Sequence, residues 1–329
     1  MTDDDYLWDR SGEPDRTVSA LESELARHRW SGRLPQAPLP VRASRRAWRP
    51  LSLAAGLAAV ALGAWLLRDA LSGPAPAPLA DGPVYRAEAL SGALTASEFR
   101  AGERLVTDAD TRARVEIGDV GSLILEPDSA LRVERPSPAL AADAGHLLWL
   151  EHGALTASIF AAPRLFQLGT PSGLAVDLGC VYSARVEDDG VTLLSVITGQ
   201  VAFETPERRV TVPHGASTRA VPGRGPDTPT WDGAPIDWRQ AVAHLDEAVA
   251  DGAPVDTPLA AVLSTDRAAD SLTLWHLLAW SALPRPAREA VADRLAALAP
   301  APAAAPRGAC LELDTAALDA WRATLGWSW

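Results

Sequence analysis

Six histidines (His28, His146, His152, His214, His244, His276), two cysteines (Cys180, Cys310) and the acidic runs Asp3-Asp4-Asp5 and Asp188-Asp189 are the residues that could carry chemistry. A structural zinc site needs about four cysteine or histidine ligands converging, usually announced by Cys-x-x-Cys or His-Glu-x-x-His spacing. Neither spacing occurs. A G-x-S-x-G elbow, a P-loop and a G-x-G-x-x-G phosphate turn are also missing from the sequence, so neither a serine nucleophile nor a nucleotide cradle is indicated. The Asp3–Asp5 run reads as a solvated terminus and Asp188-Asp189 as part of a turn. His146 and His152, near a strand expected to start at Leu147, read as surface or edge residues. Cys180 and Cys310 leave two alternatives: a disulfide between distant segments, or Cys180 as a small buried residue in an apolar strand, which its neighbours favour. No catalytic residue, metal or cofactor is expected, and the chain is not expected to be an enzyme.

Composition narrows the class further. The 329 residues allow two ordinary domains plus extras, and 47% apolar with 22% charged residues fits neither a disordered chain nor a multi-span membrane protein. Every basic residue is arginine, and the net charge is −12. The first 50 residues hold nine Arg against eight Asp/Glu, so the acidity lies in the remainder. An acidic body without a basic face argues against direct nucleic-acid binding.

The elements behind these residues begin with one apolar run. Leu51–Leu67 is seventeen residues without a charge, at the short end of what crosses a bilayer. Arg33, Arg42, Arg45, Arg46 and Arg49 precede it with no acid between, while Arg68 and Asp69 follow and cancel. The positive-inside rule then puts the N-terminus in the cytoplasm and everything beyond about residue 68 outside. A cleaved signal peptide does not fit, because its basic region would not be fifty residues long. The expectation is one transmembrane helix over 50–68.

Residues 1–49 form a short cytoplasmic segment with one amphipathic helix: Pro14-Asp15 supplies a start signal, and Val18, Leu21 and Leu25 share a face. Tyr6, Leu7, Trp8 and Trp30 add apolar surface that this segment cannot bury alone. Two readings stand: a helix lying on the membrane, or one docking into a partner's groove.

Residues 69–83 are a Pro/Ala-rich tether. From 84 to 222 short alternating strands follow, such as "RARVEI", "SLILE", "RRVTV" and "STRAV", with Asp189-Gly190 at a hairpin tip. A sandwich or a solenoid-like stack both fit. "SGALTASEF" (91–99), "HGALTASIF" (152–160) and the looser "TGQVAFE" (198–204) predict equivalent hairpin arms, each with a Gly at a turn. Residues 223–235 read as a second linker, and 236–329 as a bundle of about four helices with a fully apolar helix around "SLTLWHLLAW". The fold class expected is multidomain, mainly β with α.

The stretch "FQLGTPSGLAVDLGCVYSARVEDDGVTLLSVITGQVAF" resembles the FecR-type domain of bacterial membrane regulators. The family's Thr-Pro-x-Gly turn is matched by Thr170, Pro171 and Gly173. Its Gly-Thr-x-Phe/Tyr strand is matched by Gly179 and Tyr182, with Cys180 where the family has Thr, and its Gly-x-Val ending by Gly199 and Val201. "YLWDRSGEPD" is similar to the start of FecR-domain proteins with this single-span layout. The resemblance implies an inner-membrane protein with a periplasmic sensor that meets an envelope protein or ligand. It further implies a cytoplasmic segment controlling an extracytoplasmic-function (ECF) sigma factor, so that Tyr6, Leu7, Trp8, Val18, Leu21, Leu25 and Trp30 become the partner surface. The rival is a membrane-anchored periplasmic binding or scaffold protein with no role in transcription.

Overall fold

A computed structural model describes residues 83–134 and 145–327. The inner segment, the apolar run and nearly all of the tether lie outside the described residues, and with them Tyr6, Leu7, Trp8, Val18, Leu21, Leu25, Trp30, Arg42, Arg45, Arg46 and Arg49. Among the described residues no helix is long and apolar enough to cross a membrane.

The described part is mainly β sheet with a group of helices after it, and it forms one compact unit. Strand after strand alternates apolar-in and polar-out, as in β4 (Arg112–Ile117), where Ala113, Val115 and Ile117 are buried and the residues between them exposed. In one sheet, β2 (Glu98–Phe99) pairs with β1 (Tyr85–Ser91), which pairs with β4, and then β5 (Gly121–Leu125), the second half of β7 (His146–Ile159), β10 (Val181–Val186), β11 (Thr192–Thr198) and β14 (Ala216–Val221) follow. The two-residue strands β15 (Gly225–Pro226) and β16 (Thr230–Trp231) both add to β14. The second sheet runs β3 (Arg104–Thr107), β6 (Ser129–Val133), the first half of β7, β8 (Phe166–Thr170), β9 (Gly173–Asp177), β12 (Gln200–Glu204) and β13 (Arg209–Pro213). The inward residues of both sheets, including Val115, Leu155, Tyr182, Leu148, Phe166 and Phe203, belong to one apolar cluster. Two sheets facing each other across a shared core describe a sandwich.

Strand β7 belongs to both sheets because it bends at Gly153. That residue has φ +87°, and a Cβ there would sit 2.2 Å from Ser129 Oγ and 2.5 Å from Ser129 Cα. The space is taken by the Ser129 hydroxyl, which accepts from Ala154 N–H at 2.9 Å. The expected equivalence of the three repeats is therefore corrected. "HGALTASIF" lies largely within one long bent strand and runs just past its end, whereas "SGALTASEF" is a strand end, a loop and the short β2, and "TGQVAFE" is a corner between two strands. Their glycines do share positive φ, at +67°, +87° and +79°. Their phenylalanines differ: Phe99 and Phe203 are buried, while Phe160 is 82% exposed.

Six α-helices follow: α1 (Ile236–Ala250), α2 (Asp256–Leu263), α3 (Ser271–Leu278), α4 (Arg285–Leu298), α5 (Arg307–Leu311) and α6 (Thr315–Arg322). Helix α3 is buried at all eight positions, as its all-round apolar sequence demands. Asp314 caps α6 by accepting from Ala317 N–H at 2.8 Å. Residues 223–235, expected as a linker, differ most from their composition: 225–229 are buried, β15 and β16 lie within them, and the helices share the apolar cluster of the sheets. Prolines and threonines here act as a packed seam, with Thr273 Oγ1 of α3 donating to Pro229 O at 2.7 Å.

Candidate functional site

The turn and glycine residues singled out in the stretch 166–203 divide between the two ends of β9. At one end the Thr170–Gly173 turn is closed by the Thr170 hydroxyl, which donates to Gly173 O at 3.0 Å, and it docks on the Asp189-Gly190 hairpin tip through Ser172 Oγ donating to Gly190 O at 2.7 Å. Pro171 packs there against Gly190, where a Cβ would lie 3.2 Å from the Pro171 ring. At the other end lie two corners: the chain leaves the second sheet for the first at Gly179, and returns at Gly199. These corners press together, since a Cβ on Gly199 would sit 2.3 Å from Gly179 O. Tyr182 is fully buried in the core between them, and its hydroxyl has no hydrogen-bond partner among the described residues.

Cys180 sits at the first corner, buried, with its thiol donating to Asp177 Oδ2, while Asp177 Oδ1 accepts from Gly179 N–H at 2.6 Å. Burial pushes the Asp177 carboxyl up, and burial together with the Asp177 charge pushes the Cys180 thiol far up. A thiol held protonated in this way is a poor nucleophile. Cys180 and Cys310 are both free and buried, so of the two alternatives the disulfide is set aside. His146 is half-buried, accepting or donating at Nδ1 with Tyr85 Oη at 2.8 Å. Among the described residues no group of His, Cys, Asp and Glu is placed to hold a metal ion.

Two features were not legible in the sequence. The first is a polar joint between sheets and helices. Arg208, just before β13, donates to Asp246 Oδ1 of α1 at 3.1 Å and to Thr228 Oγ1 at 2.6 Å, and its guanidinium lies 3.7 Å over the Trp280 ring. Asp246, 1% exposed, also accepts from Thr228 N–H and Oγ1–H, each at 2.7 Å. Asp227 beside it is pushed up to about 6, first by burial and then by the Asp246 charge, against the pull of Arg224, which donates to its Oδ1 at 2.7 Å. Nearby, His276 of α3 accepts from Thr211 N–H of β13 at 3.0 Å through Nε2. Its Nδ1–H must then donate to Leu272 O, 2.8 Å away, which fixes a neutral imidazole. Burial holds its pKa down at about 3.

The second feature is a cleft of about 840 Å³ between the outer face of the first sheet and α1. Its floor is set by register. Thr156, Ser183, Ser195, Ser217 and Thr230 face one another in turn across β7, β10, β11, β14 and β16, a row of hydroxyls spaced by about 4.8 Å per strand. The adjoining row holds Ala154, Arg185, Leu193 and Arg219. Helix α1 contributes Ile236, Arg239, Gln240 and Ala243, positions that share one helical face. The size is that of a small-ligand site. The sequence holds no local signal for it, because the five hydroxyls come from strands spread over 75 residues and only their alternation with apolar neighbours was visible.

No family model matches this chain, and no curated protein does. Two crystal structures of a candidate anti-sigma factor from Parabacteroides distasonis ATCC 8503, at 1.65 and 2.50 Å resolution, are similar to part of it. Identity is 17% and 16%, the TM-score is 0.33 for both, and the match covers 42% of this chain. The chain spans 63% of the length of those structures, under two thirds, and the likeness at these values assigns no family.

Proposed function

We propose that the protein is a single-pass inner-membrane regulator whose outer β/α body senses an envelope signal and whose segment 1–49 controls an ECF-type sigma factor. The observation that carries this is the stretch 166–203, whose motif residues shape the backbone: a closed Thr-Pro-x-Gly turn and two facing glycine corners. A sensor body needs a rigid frame of this kind. The order of segments supports the same reading: an apolar stripe inside, an arginine-flanked run, a tether, then the body. Burying the stripe of Val18, Leu21 and Leu25 at roughly 1.5–3 kcal/mol per side chain is enough for a specific, modest contact.

The test is a Leu21→Asp, Leu25→Asp double variant read with reporters on promoters of the cell's ECF sigma factors. Output from one promoter is expected to change; unaltered output from all of them removes this surface from consideration. The second reading, an anchored binding module, is favoured by the cleft itself, which needs no transcriptional partner to have a use.

A further inference from the structure

We infer that the cleft between the first sheet and α1 binds an anionic saccharide, its oxyanion groups on Arg185 and Arg239 and its hydroxyls on the Ser/Thr row. The inference rests on taking the outer body as the ligand-sensing part, and it concerns what that body takes rather than what the inner segment does.

Charge accounting around the cleft points to an anion. Four carboxylates line it: three are paired with arginines, although the Oδ2 of Asp227 makes no hydrogen bond, and Asp232 is held only by Ser195. Glu126 accepts from Arg112 at 2.7 Å, Asp246 from Arg208 and Thr228, Asp227 from Arg224, and Asp232 from Ser195 Oγ at 3.4 Å. Of the three arginines lining the cleft, Arg219 is shared between Asp227 and Glu247 at 3.6 and 3.5 Å. Arg185 and Arg239 make no side-chain hydrogen bond or ion pair among the described residues, and the Nε of Arg239 is buried without an acceptor. A buried donor without an acceptor costs about 1–3 kcal/mol, and a carboxylate or phosphate oxygen is the group that two guanidinium forks recognise.

The floor selects the rest of the ligand. Thr156, Ser183, Ser217 and Thr230 make no side-chain hydrogen bond among the described residues, so four of the five hydroxyls in the row are free. Each can donate and accept, as ligand hydroxyls require. Gln240 adds an amide from the opposite wall. The lining holds no aromatic ring, so a neutral sugar would find no stacking platform, and charge must supply the affinity.

The oxyanion can come from a uronic acid or from a sugar phosphate, and calorimetry on the full chain in neutral detergent distinguishes them. The probes are trigalacturonate and glucose 1,6-bisphosphate, with maltotriose as the uncharged control. Binding of one charged probe, weakened roughly tenfold or more by Arg185→Gln and again by Arg239→Gln, is the expected result and names the source. Ser183→Val and Ser217→Val, which leave the charge intact, are expected to weaken the same probe severalfold. Binding of neither charged probe, equal binding of maltotriose, or affinity unmoved by both arginine variants would overturn the inference. None of these outcomes involves the inner segment, so failure here leaves the sigma-factor reading to its own reporter test.

Discussion

Replacing Arg208 with methionine removes one charge from the joint where α1 meets the sheets while keeping most of the side chain's volume. The guanidinium is nearly buried, at 7% side-chain exposure against 1% for its partner Asp246. Deleting one member of a buried pair strands the other, at a cost of about 3–5 kcal/mol. The variant also loses the bond to Thr228 and the stacking on Trp280. For a unit of this size each kcal/mol moves Tm by about 2–4 °C, so the loss is expected to be about 6–20 °C in a thermal melt followed by circular dichroism. Asp246→Asn is the informative control. It keeps an acceptor for Thr228, and Arg208 still feels the Asp227 charge that it helps to hold in its ionised form. Arg208→Met instead leaves Asp227 and Asp246 facing each other as two buried carboxylates. The arginine variant should therefore be clearly the less stable of the two, and the gap should narrow at pH 5, where Asp227 takes up a proton. Equal losses, or a loss below about 1 kcal/mol for Arg208→Met, would refute the description of this joint as a charge-balanced cluster.

Three further outcomes follow from the same geometry. The folded Asp227 titrates near 6 and the unfolded one near 3.9, so its contribution to stability is present below about 4 and lost as pH rises through 6. The difference in stability between Asp227→Asn and the parent, read by urea unfolding, should change by about 1.4 kcal/mol per pH unit between about 4 and 6 and stay flat above. His276 acts in the opposite sense: its folded pKa lies near 3 against about 6.5 unfolded, so stability is full above 6.5 and falls as pH drops towards 3. A His276→Gln variant should lose that acid sensitivity while costing stability at pH 8, where the parent's neutral ring bridges Thr211 and Leu272; an unchanged pH profile would contradict the assignment. Gly153→Ala should destabilise by more than about 2 kcal/mol, because it adds a Cβ at positive φ into Ser129 backbone as well as side chain. A neutral substitution there would mean that β7 can bend elsewhere.

Period-two alternation made the strands visible in the sequence: "RARVEI" shows its buried face directly, whereas "STRAV" buries Thr218 and Ala220 and leaves Val221 on the other face. The buried helix α3 was legible for an equally local reason. What could not be read was anything set by register or by packing at a distance. Gly153 looks like a turn residue, and only the crowding against Ser129 shows that it bends a continuous strand. The segment "DTPLAAVL" is too short for its helical period to stand out, yet it forms α2 because Leu259 and Val262 pack into the core. Residues 225–229 have a linker's composition and a core's burial. Arg208 and Asp246 lie 38 positions apart, and the hydroxyl row depends on five strands aligning in one register.

The central claim, that residues 1–49 contact a sigma factor, is tested most directly by using that segment as bait in native cell lysate and identifying captured proteins by mass spectrometry. Recovery of a small ECF-type sigma factor that is lost with Leu21→Asp is the expected result. Capture of no sigma factor by a membrane-tethered bait, or capture that Leu21→Asp leaves unchanged, would contradict it and shift the weight to an anchored ligand-binding protein.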